Sequence, residues 1–584
     1  MRNLASKSLK PSTDFLGLDT ETVLGYARLL CLSDGRIYRF NSLSDVIGFL
    51  SEFFRNRKTY FFAWNADFDI QALLKWFPKR AQDLLLKGVE FVYNPDERPF
   101  SVQYIKGKYF QFDGNYIFDA LQYYGTSLKV AAVKYLPEDE GKLGFDAAMI
   151  SEENVFSQEV LEYCSRDALT CLKLFLKFWN ALPEQLKAAK PISNAFYAYV
   201  YFRSELSRNK GKRDVNDYFR NAYHGGRFEI FERGYFRDLY VYDINSAYPF
   251  EISKLRGLDR CHYVNLASYI ADAAYSVYKI KTKIEDKFVS PLLFNNKGLC
   301  CYPSGHYEGY ITKGEYERIK DSEHTILEGF HVFANGEYPF AEKVAELYRK
   351  RKTSGFSLPF KIILNSLYGK TGQATVKYVK SSDLGEDMKI VDFVDSDGVT
   401  YVKCEDLSKS NFVYASEITA RTRLRLYDLV ARYRDSVVMV QTDSIISKNA
   451  LPLELSADLG EWRLEKWDEA ILVGSGIYFY RKGREWFDKF RGFNFKADRV
   501  QEIMRKVLRA KTSKVSFQTL KRFSIQEANR LHDDALGNQI LEVTRRMDLN
   551  FDRKRVWLDK WERGSDIKKK RIKSLALFLD NLGT

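Results

Sequence analysis

Two aspartates two hundred residues apart, each at the end of an apolar run, are the residues of this chain best placed to do chemistry. Leu239 to Tyr242 reads as a buried strand that delivers Asp243, followed by a turn-prone Asn245-Ser246, the aromatic Tyr248 and the stop of Pro249. Val437 to Val440 reads as a second buried strand, with Gln441-Thr442-Asp443 as a turn and Ser444 to Ile446 as the return strand. A carboxylate at a strand end beside a turn suits Mg2+ held against a phosphate, because Mg2+ takes few protein carboxylates and leaves positions for substrate oxygens. The same pattern also fits a plain strand and turn.

Between the two aspartates, Pro359 to Lys370 reads as a helix on which Lys361, Asn365 and Tyr368 share one face, being four and three residues apart. A cation, an amide and an aromatic there suit a triphosphate, a backbone and a base pair. The preceding basic helix, Ala341 to Lys352, adds Arg349 and Lys352 as candidate triphosphate ligands. Tyr223-His224-Gly225-Gly226-Arg227 is a paired-glycine turn, which fits either a hairpin or a backbone that approaches a sugar-phosphate closely.

A second set of acids lies in the first third. Asp19 and Glu21 alternate on one strand and share a face, where they repel unless a cation sits between them. Tyr60 to Ala63 reads as a strand running into a helix, with Asn65 at the N-cap, Asn65 and Asp69 pointing to one side, and Phe68 between them. Tyr163 and Asp167 are neighbours on a helix face, where a tyrosine beside a carboxylate suits the orientation of water for attack on a phosphodiester.

The elements that must hold these residues exceed one domain. With 584 residues, 45% of them hydrophobic and 29% charged, the chain is globular and long enough for several cores. The net charge of +14 and 15% aromatic content fit nucleic acid, whose phosphates take cations and whose bases take rings. Seven irregularly spaced cysteines argue for a reducing compartment, and Cys300-Cys301 with His306 makes a poor zinc set. No run of 18 apolar residues spans a membrane, and the basic N-terminus lacks the apolar stretch of a secretory signal, leaving an organellar presequence open. The helical pattern breaks near Leu182 to Pro191, which marks a domain boundary. Ser253 to Phe340 is too long for a connection, Thr371 to Ser410 reads as a protruding hairpin, Tyr414 to Tyr433 as a helix, and Val500 to Arg571 as a helix-rich basic tail.

Together these motifs, in this order, resemble two known sets. D-x-E, N-x-x-F-D and Y-x-x-x-D resemble the DnaQ-like 3′–5′ exonucleases, implying that Asp19, Glu21, Asp69 and Asp167 hold two metal ions and act with Tyr163. Y-x-G-G, the stretch through Asp243 and Tyr248, K-x-x-x-N-S-x-Y-G and the turn at Asp443 resemble family B DNA polymerases, closest to the protein-primed branch of phages, viruses and linear plasmids. The resemblance implies metal ligation by Asp243 and Asp443, and a sugar-pocket floor at Tyr248 that rejects a ribose hydroxyl by clash. It further implies DNA contacts from Asn65, Phe68, Tyr223, Gly225, Gly226, Ser366, Gly369 and Tyr478, and an additional catalytic lysine at Lys142. Four departures stand out: Ala120 replaces a Ser or Thr that contacts single-stranded DNA after Asp119, Ala247 replaces the common Leu, Gln441 replaces the first Asp of D-T-D-S, and Gly476 replaces a primer-contact Lys two residues before Tyr478.

The resemblance implies a multidomain α/β and α+β protein, with an RNase H-like exonuclease domain and a right-hand polymerase whose palm is ferredoxin-like. The expected bounds are 1–185 for the exonuclease and 186–584 for the polymerase. Within the latter the palm covers about 186–255 and 413–480, an insertion resembling the terminal-protein-binding region 256–340, the fingers 341–372, a second insertion 373–412 and the thumb 481–584. The implied function is DNA-directed synthesis on a viral or plasmid genome with 3′–5′ proofreading, protein-primed and strand-displacing. Its requirements would be Mg2+ or Mn2+, two ions per site, with dNTP substrates, primer-template DNA and a terminal protein. The expected form is a monomer in the host cytoplasm. A primer-independent or nucleic-acid-primed polymerase, a catalytically weakened replication scaffold and a stand-alone nuclease are the competing readings.

Overall fold

The computed structural model describes residues 14–581 except 54–58, 95–98, 142, 210–212, 297, 384–390, 494 and 496–498. The N-terminal part is built on β1 (Asp14–Val23), β2 (Tyr26–Leu32), β3 (Ile37–Arg39), β4 (Thr59–Ala63), α1 (Ala66–Leu74), α2 (Lys79–Leu86), β5 (Phe91–Tyr93), β6 (Phe100–Ile105), β7 (Tyr109–Phe112), β8 (Asn115–Asp119) and the long α3 (Gln158–Asn180). Its eight strands run in the order β3-β2-β1-β4-β8-β7-β6-β5, with β4 parallel to both β1 and β8. Every residue of β4 and β8 is buried, as a strand covered on both faces requires, whereas β6 alternates.

Helix α3 starts at Ser157, whose hydroxyl accepts from the Val160 N–H. Its buried residues, including Val160, Tyr163, Cys164, Asp167, Ala168, Cys171 and Leu174, recur every three to four positions and face the sheet. Gly17 on β1 permits that approach, because a Cβ there would collide with the Ala168 carbonyl.

The second sheet contains β9 (Phe228–Ile230) and β10 (Glu232–Ile244), followed by α4 (Ala247–Ser253). Helices α5 (Ala341–Thr353) and α6 (Leu358–Thr371) pack against each other, and α7 (Phe412–Arg432) packs beneath the sheet. The sheet continues with β11 (Val437–Gln441), β12 (Ser444–Ser447), β13 (Trp462–Gly474), β14 (Ile477–Lys482) and β15 (Glu485–Phe490), in the order β15-β14-β13-β10-β12-β11-β9. The predicted strand at Leu239 to Tyr242 is the end of the thirteen-residue β10.

Tyr60, Phe62, Phe118 and Phe175 of the first part share one core with Tyr197, Phe202, Leu364, Leu367 and Tyr414 of the second. The two parts are therefore fused through apolar packing across the expected boundary. The segment after Ser253 carries its own four-stranded antiparallel sheet (His262–Asn265, His324–Phe333, Tyr275–Ile284, Gly305–Thr312). The expected hairpin after Thr371 is a three-stranded sheet of Thr375–Lys380, Thr400–Asp406 and Val391–Val394.

The tail corrects an expectation. Instead of being helix-rich, it is dominated by β16 (Lys514–Arg522), which pairs along its whole length with β17 (Ile540–Asp548). The short α8 (Ile525–Arg530) lies in the loop between them, and β18 (Arg555–Trp557) and β19 (Ile572–Ala576) extend the second sheet from β10. Lys514 to Leu520 alternates exposed and buried residues, a two-residue period that a helix cannot satisfy.

Two candidate active sites

Asp243 and Asp443 meet at the end of the second sheet. Asp243 closes β10 opposite Ser444 of β12, and Asp443 sits in the tight turn that leads from β11 into β12. Thr442 adopts φ +48°, its N–H donating to the Arg227 carbonyl at 2.7 Å, and the Asp443 N–H donates back to the Gln441 carbonyl. Burial and the neighbouring Asp243 charge push the Asp443 carboxyl up to about 6. Burial also raises Asp243, countered by Arg463, its cross-strand partner on β13. The Arg463 Nε and Nη2 donate to Asp243 Oδ2 at 2.8 and 2.6 Å.

Lys361, near the start of α6, acts electrostatically on both aspartates, and desolvation followed by repulsion from Arg351 and Arg463 lowers its own pKa. Helix α5 turns a different cation to the site than the two expected. Arg351 Nη1 donates to Ser246 Oγ at 2.6 Å, next to the Asp243 turn. Lys352 instead pairs with Asp458 at 3.1 Å, and Arg349 is exposed with its carbonyl accepting from Thr353 Oγ1. The helix phase separates them: Arg351 is half-buried between two exposed cations. Cross-strand register and helix phase are the signals that find Arg463 and Arg351.

Tyr248 of α4 and Tyr368 of α6 bring their rings within 4.3 Å at 43°. Asn365 and Gly369 are exposed on α6, with Ser366 half-buried between them. The glycine turn lies alongside: a Cβ on Gly226 would stand 2.9 Å from Tyr248 Oη and 3.0 Å from Thr442 Cγ2, while Gly225 faces open space. The fully buried Arg423 holds this turn by donating to the carbonyls of His224 and Gly225 at 3.0 Å each, and it pairs with Glu315 at 2.7 Å. The Tyr223 ring packs on Phe412 at 5.7 Å. Tyr478 is buried, its hydroxyl donating to Gln441 Oε1 at 3.0 Å. Arg555, in the basic tail, turns inward onto Glu229, which Arg227 also binds.

The second cluster sits between β1, α1 and α3. Asp19, Glu21 and Cys164 place ligand atoms within 4.8 Å of one another. Asp69 Oδ1 accepts from the Thr20 hydroxyl at 2.7 Å and the Thr20 N–H at 3.1 Å, and burial pushes its carboxyl up to about 7. Tyr163 and Asp167 are buried on the face of α3 that covers β1. Cys164 escaped the sequence reading, because a cysteine inside a helical apolar stripe has the pattern of a core residue. Lys142 lies outside the described residues.

Asn65 occupies the cap position of α1 in a left-handed conformation (φ 64°), but its side chain makes no capping bond. Asp119 Oδ1 accepts its N–H and that of Leu121, at 3.0 and 2.9 Å. Asp67 accepts from the Tyr104 hydroxyl at 2.5 Å and the Gly107 N–H at 2.8 Å. Phe68 lies under the Arg522 guanidinium, 5.1 Å from its ring centre.

An N-terminal mixed sheet bearing one carboxylate cluster, joined to a second sheet bearing another and flanked by a helical pair, makes a multidomain α/β polymerase fold. The comparisons agree with it. A family model described as DNA polymerase type B, organellar and viral, matches residues 100–428, more than half of the chain, and the chain belongs to that family. The DNA polymerase of Acidianus bottle-shaped virus (isolate Italy/Pozzuoli) is 24% identical over 433 residues, covering 68% of this chain and 60% of that protein. The DNA-directed DNA polymerase of Enterobacteria phage PRD1 is 24% identical over 412 residues, covering 65% of this chain and 70% of that one. The chain thus spans less than two thirds of the viral relative's length. In fold it is similar to phi29 DNA polymerase complexed with primer-template DNA and incoming nucleotide substrates, with a TM-score of 0.66 at 13% identity, over 92% of this chain and 100% of that chain. The same polymerase complexed with single-stranded DNA gives 0.64 at 14% identity, with the same coverage of both chains.

Proposed function

We propose that this chain is a DNA-directed DNA polymerase with a 3′–5′ proofreading exonuclease, replicating a viral or plasmid genome from a protein primer. The observation that carries the reading is the convergence of Asp243 and Asp443, with Lys361 and the Tyr248–Tyr368 pair beside them, at a place separate from the Asp19, Glu21, Asp69 and Asp167 cluster. The proposal keeps the expected bounds of 1–185 for the exonuclease and 186–584 for polymerisation.

The donor sets fit divalent cations. At each site buried or half-buried carboxylates are held together, and ionisation of Asp443 and Asp69 is opposed until positive charge arrives. Asp243 and Asp443 would hold Mg2+ or Mn2+ at the polymerising site, and Asp19, Glu21, Asp69 and Asp167 at the other. Bound there, the ions supply activation of the attacking oxygen and charge stabilisation on the leaving group. The chain's own residues do the rest. Lys361 and Arg351 offer positive charge to the dNTP triphosphate, and Tyr248 stands as the floor that leaves no room for a ribose hydroxyl. Tyr163 orients the water that attacks a mispaired end.

Priming by a protein hydroxyl is the finer part of the proposal. It is supported by the folded insertion over about 256–340 and by the likeness to phage and viral polymerases. The seven cysteines are all free, which suits action inside a host cell. No described helix is long and apolar enough to cross a membrane.

Primer extension with and without a candidate terminal protein tests this reading. Asp243→Ala or Asp443→Ala should abolish extension and spare degradation of a single-stranded oligonucleotide, and Asp19→Ala should do the reverse. Equal loss of both activities in every variant would sink the two-site assignment. Efficient synthesis with no primer and no terminal protein would sink protein priming.

A further inference from the structure

Gln441 stands where the resemblance implies a carboxylate, and its side chain is committed elsewhere. The second sheet curls until its two ends meet. Arg491, just past β15, lies 4.7 Å over the Phe228 ring of β9. The Tyr478 hydroxyl on β14 reaches Gln441 Oε1 on β11 at 3.0 Å, although β13, β10 and β12 lie between those strands in the hydrogen-bonded order. Gln441 Nε2 points to Met439 Sδ at 3.4 Å. The Tyr478 ring is only 5% exposed and stacks on Trp467 at 5.9 Å, which leaves it little surface to offer a nucleic acid.

The same residue ends β11 and starts the turn. Its carbonyl accepts the Asp443 N–H, with Thr442 in a left-handed conformation between them. A non-glycine residue holds that conformation when its surroundings over-determine it. Here the Arg227 carbonyl fixes Thr442 on one side and Tyr478 fixes the Gln441 side chain on the other. A neutral amide offers Tyr478 a carbonyl acceptor as a carboxylate would, without a third negative charge beside Asp243 and Asp443.

We infer that Gln441 is a positioning residue for polymerisation: its bond from Tyr478 fixes the turn that aims Asp443, and neither side chain ligates metal or touches DNA. The inference rests on the polymerase reading above. It also gives the departure in this motif a role, since the amide ties β14, next to the far edge of the curled sheet, to the active-site turn.

Steady-state primer extension by the full chain tests it with Gln441→Ala, Tyr478→Phe and the double variant. Each single variant should lower kcat by roughly 5- to 10-fold, the effect of one hydrogen bond. The KM for primer-template and the half-saturating Mg2+ concentration should stay within about twofold, and the double variant should be no worse than either single one. Tyr478→Phe removes one oxygen from an otherwise intact ring, so it reports even if Gln441→Ala loosens the fold. A rise in primer-template KM from Tyr478→Phe alone would make Tyr478 a DNA contact and overturn the inference. A rise in half-saturating Mg2+ from Gln441→Ala alone would make Gln441 a ligand and overturn it too, as would additive losses or an unchanged kcat. A wild-type chain that extends no primer overturns the polymerase reading itself, a result distinct from all of these.

Discussion

At the residue scale, Asp443 is held ready for a cation at a cost that pH reveals. Its folded carboxyl is pushed up to about 6 from an ordinary value of 3.8. Between those values the folded state keeps a proton that the unfolded state has released, so this residue's contribution to stability is present at low pH and lost as pH rises through about 6. Urea unfolding in EDTA should therefore show Asp443→Asn and wild type equally stable near the lower value, with the variant gaining about 3 kcal/mol by neutral pH. Arg463 is the competitor of any cation at Asp243. Its side chain is 65% exposed, so the pair is weak, and Arg463→Ala should lower the half-saturating Mg2+ for extension by about 2- to 5-fold. No change would show that Arg463 leaves Asp243 without cost. Gly226 has no spare room between Tyr248 and Thr442, so Gly226→Ala must displace one of them. Extension should fall by about 10- to 100-fold while degradation of a single-stranded oligonucleotide holds, a split read from the two assays on one preparation. The carboxylates and Lys361 were legible in the sequence because spacing along one strand or helix places them. Arg463 was not, because it reaches Asp243 through register with a strand two hundred and twenty residues away. Arg351 was passed over for its neighbours because a run of four cations does not show which one the helix turns inward.

At the element scale, the tail grips the N-terminal part. Ile525 of α8 is buried in the core of the first sheet, and its N–H donates to Gln71 Oε1. Lys75 Nζ donates to the carbonyls of Leu24 and Gly537 at 2.8 Å each, and Arg522 Nη2 donates to the Asp67 carbonyl at 2.6 Å. A Cβ on Gly25 would collide with the Gly537 carbonyl, which shows how closely the loop approaches. The three-stranded hairpin holds the same region: Arg80 of α2 pairs with Asp397 at 2.7 Å, and Lys87 sits over the rings of Tyr378 and Phe393. The two projections thus anchor on neighbouring helices, the tail on α1 and the hairpin on α2. Ile525→Ala should cost the docking about 2–5 kcal/mol, the range for a buried isoleucine. Hydrogen exchange should then speed up in Ala66–Leu74 and Ile525–Arg530 together, and exchange confined to the second segment would show that the loop docks without supporting α1. None of this contact was legible, since nothing in the local pattern of Ile525 names a partner some four hundred and fifty residues back. The strand character of Lys514 to Leu520 was legible in its alternation.

At the scale of the whole molecule, the order of motifs gave away the architecture because each motif lies at a strand end or on a helix face that the fold needs in that order. The shared core did not show, because Phe175 and Tyr414 are ordinary apolar positions of two separate helices until the fold packs them together. The net charge of +14 sets how the molecule meets its template. If primer-template binding neutralises six to ten phosphates, its affinity should fall by roughly 10³- to 10⁵-fold between 50 and 200 mM salt, and a slope near zero would show that the basic surface faces elsewhere. The docking of Ile525 also has a consequence in time. The first sheet and α3 are complete at Asn180, yet the side chain that fills the apolar recess beside α1 is made far later. At about 5–20 residues per second, the roughly 350 residues between them take some 20–70 s to synthesise. Through that interval the recess beside α1, like the core shared with Tyr197, Leu364 and Tyr414, lacks side chains that fill it, so the N-terminal part emerges from the ribosome with apolar surface uncovered. A chain built this way asks most of the cell's chaperones midway through its birth, and a messenger cut short there would release a protein that sticks.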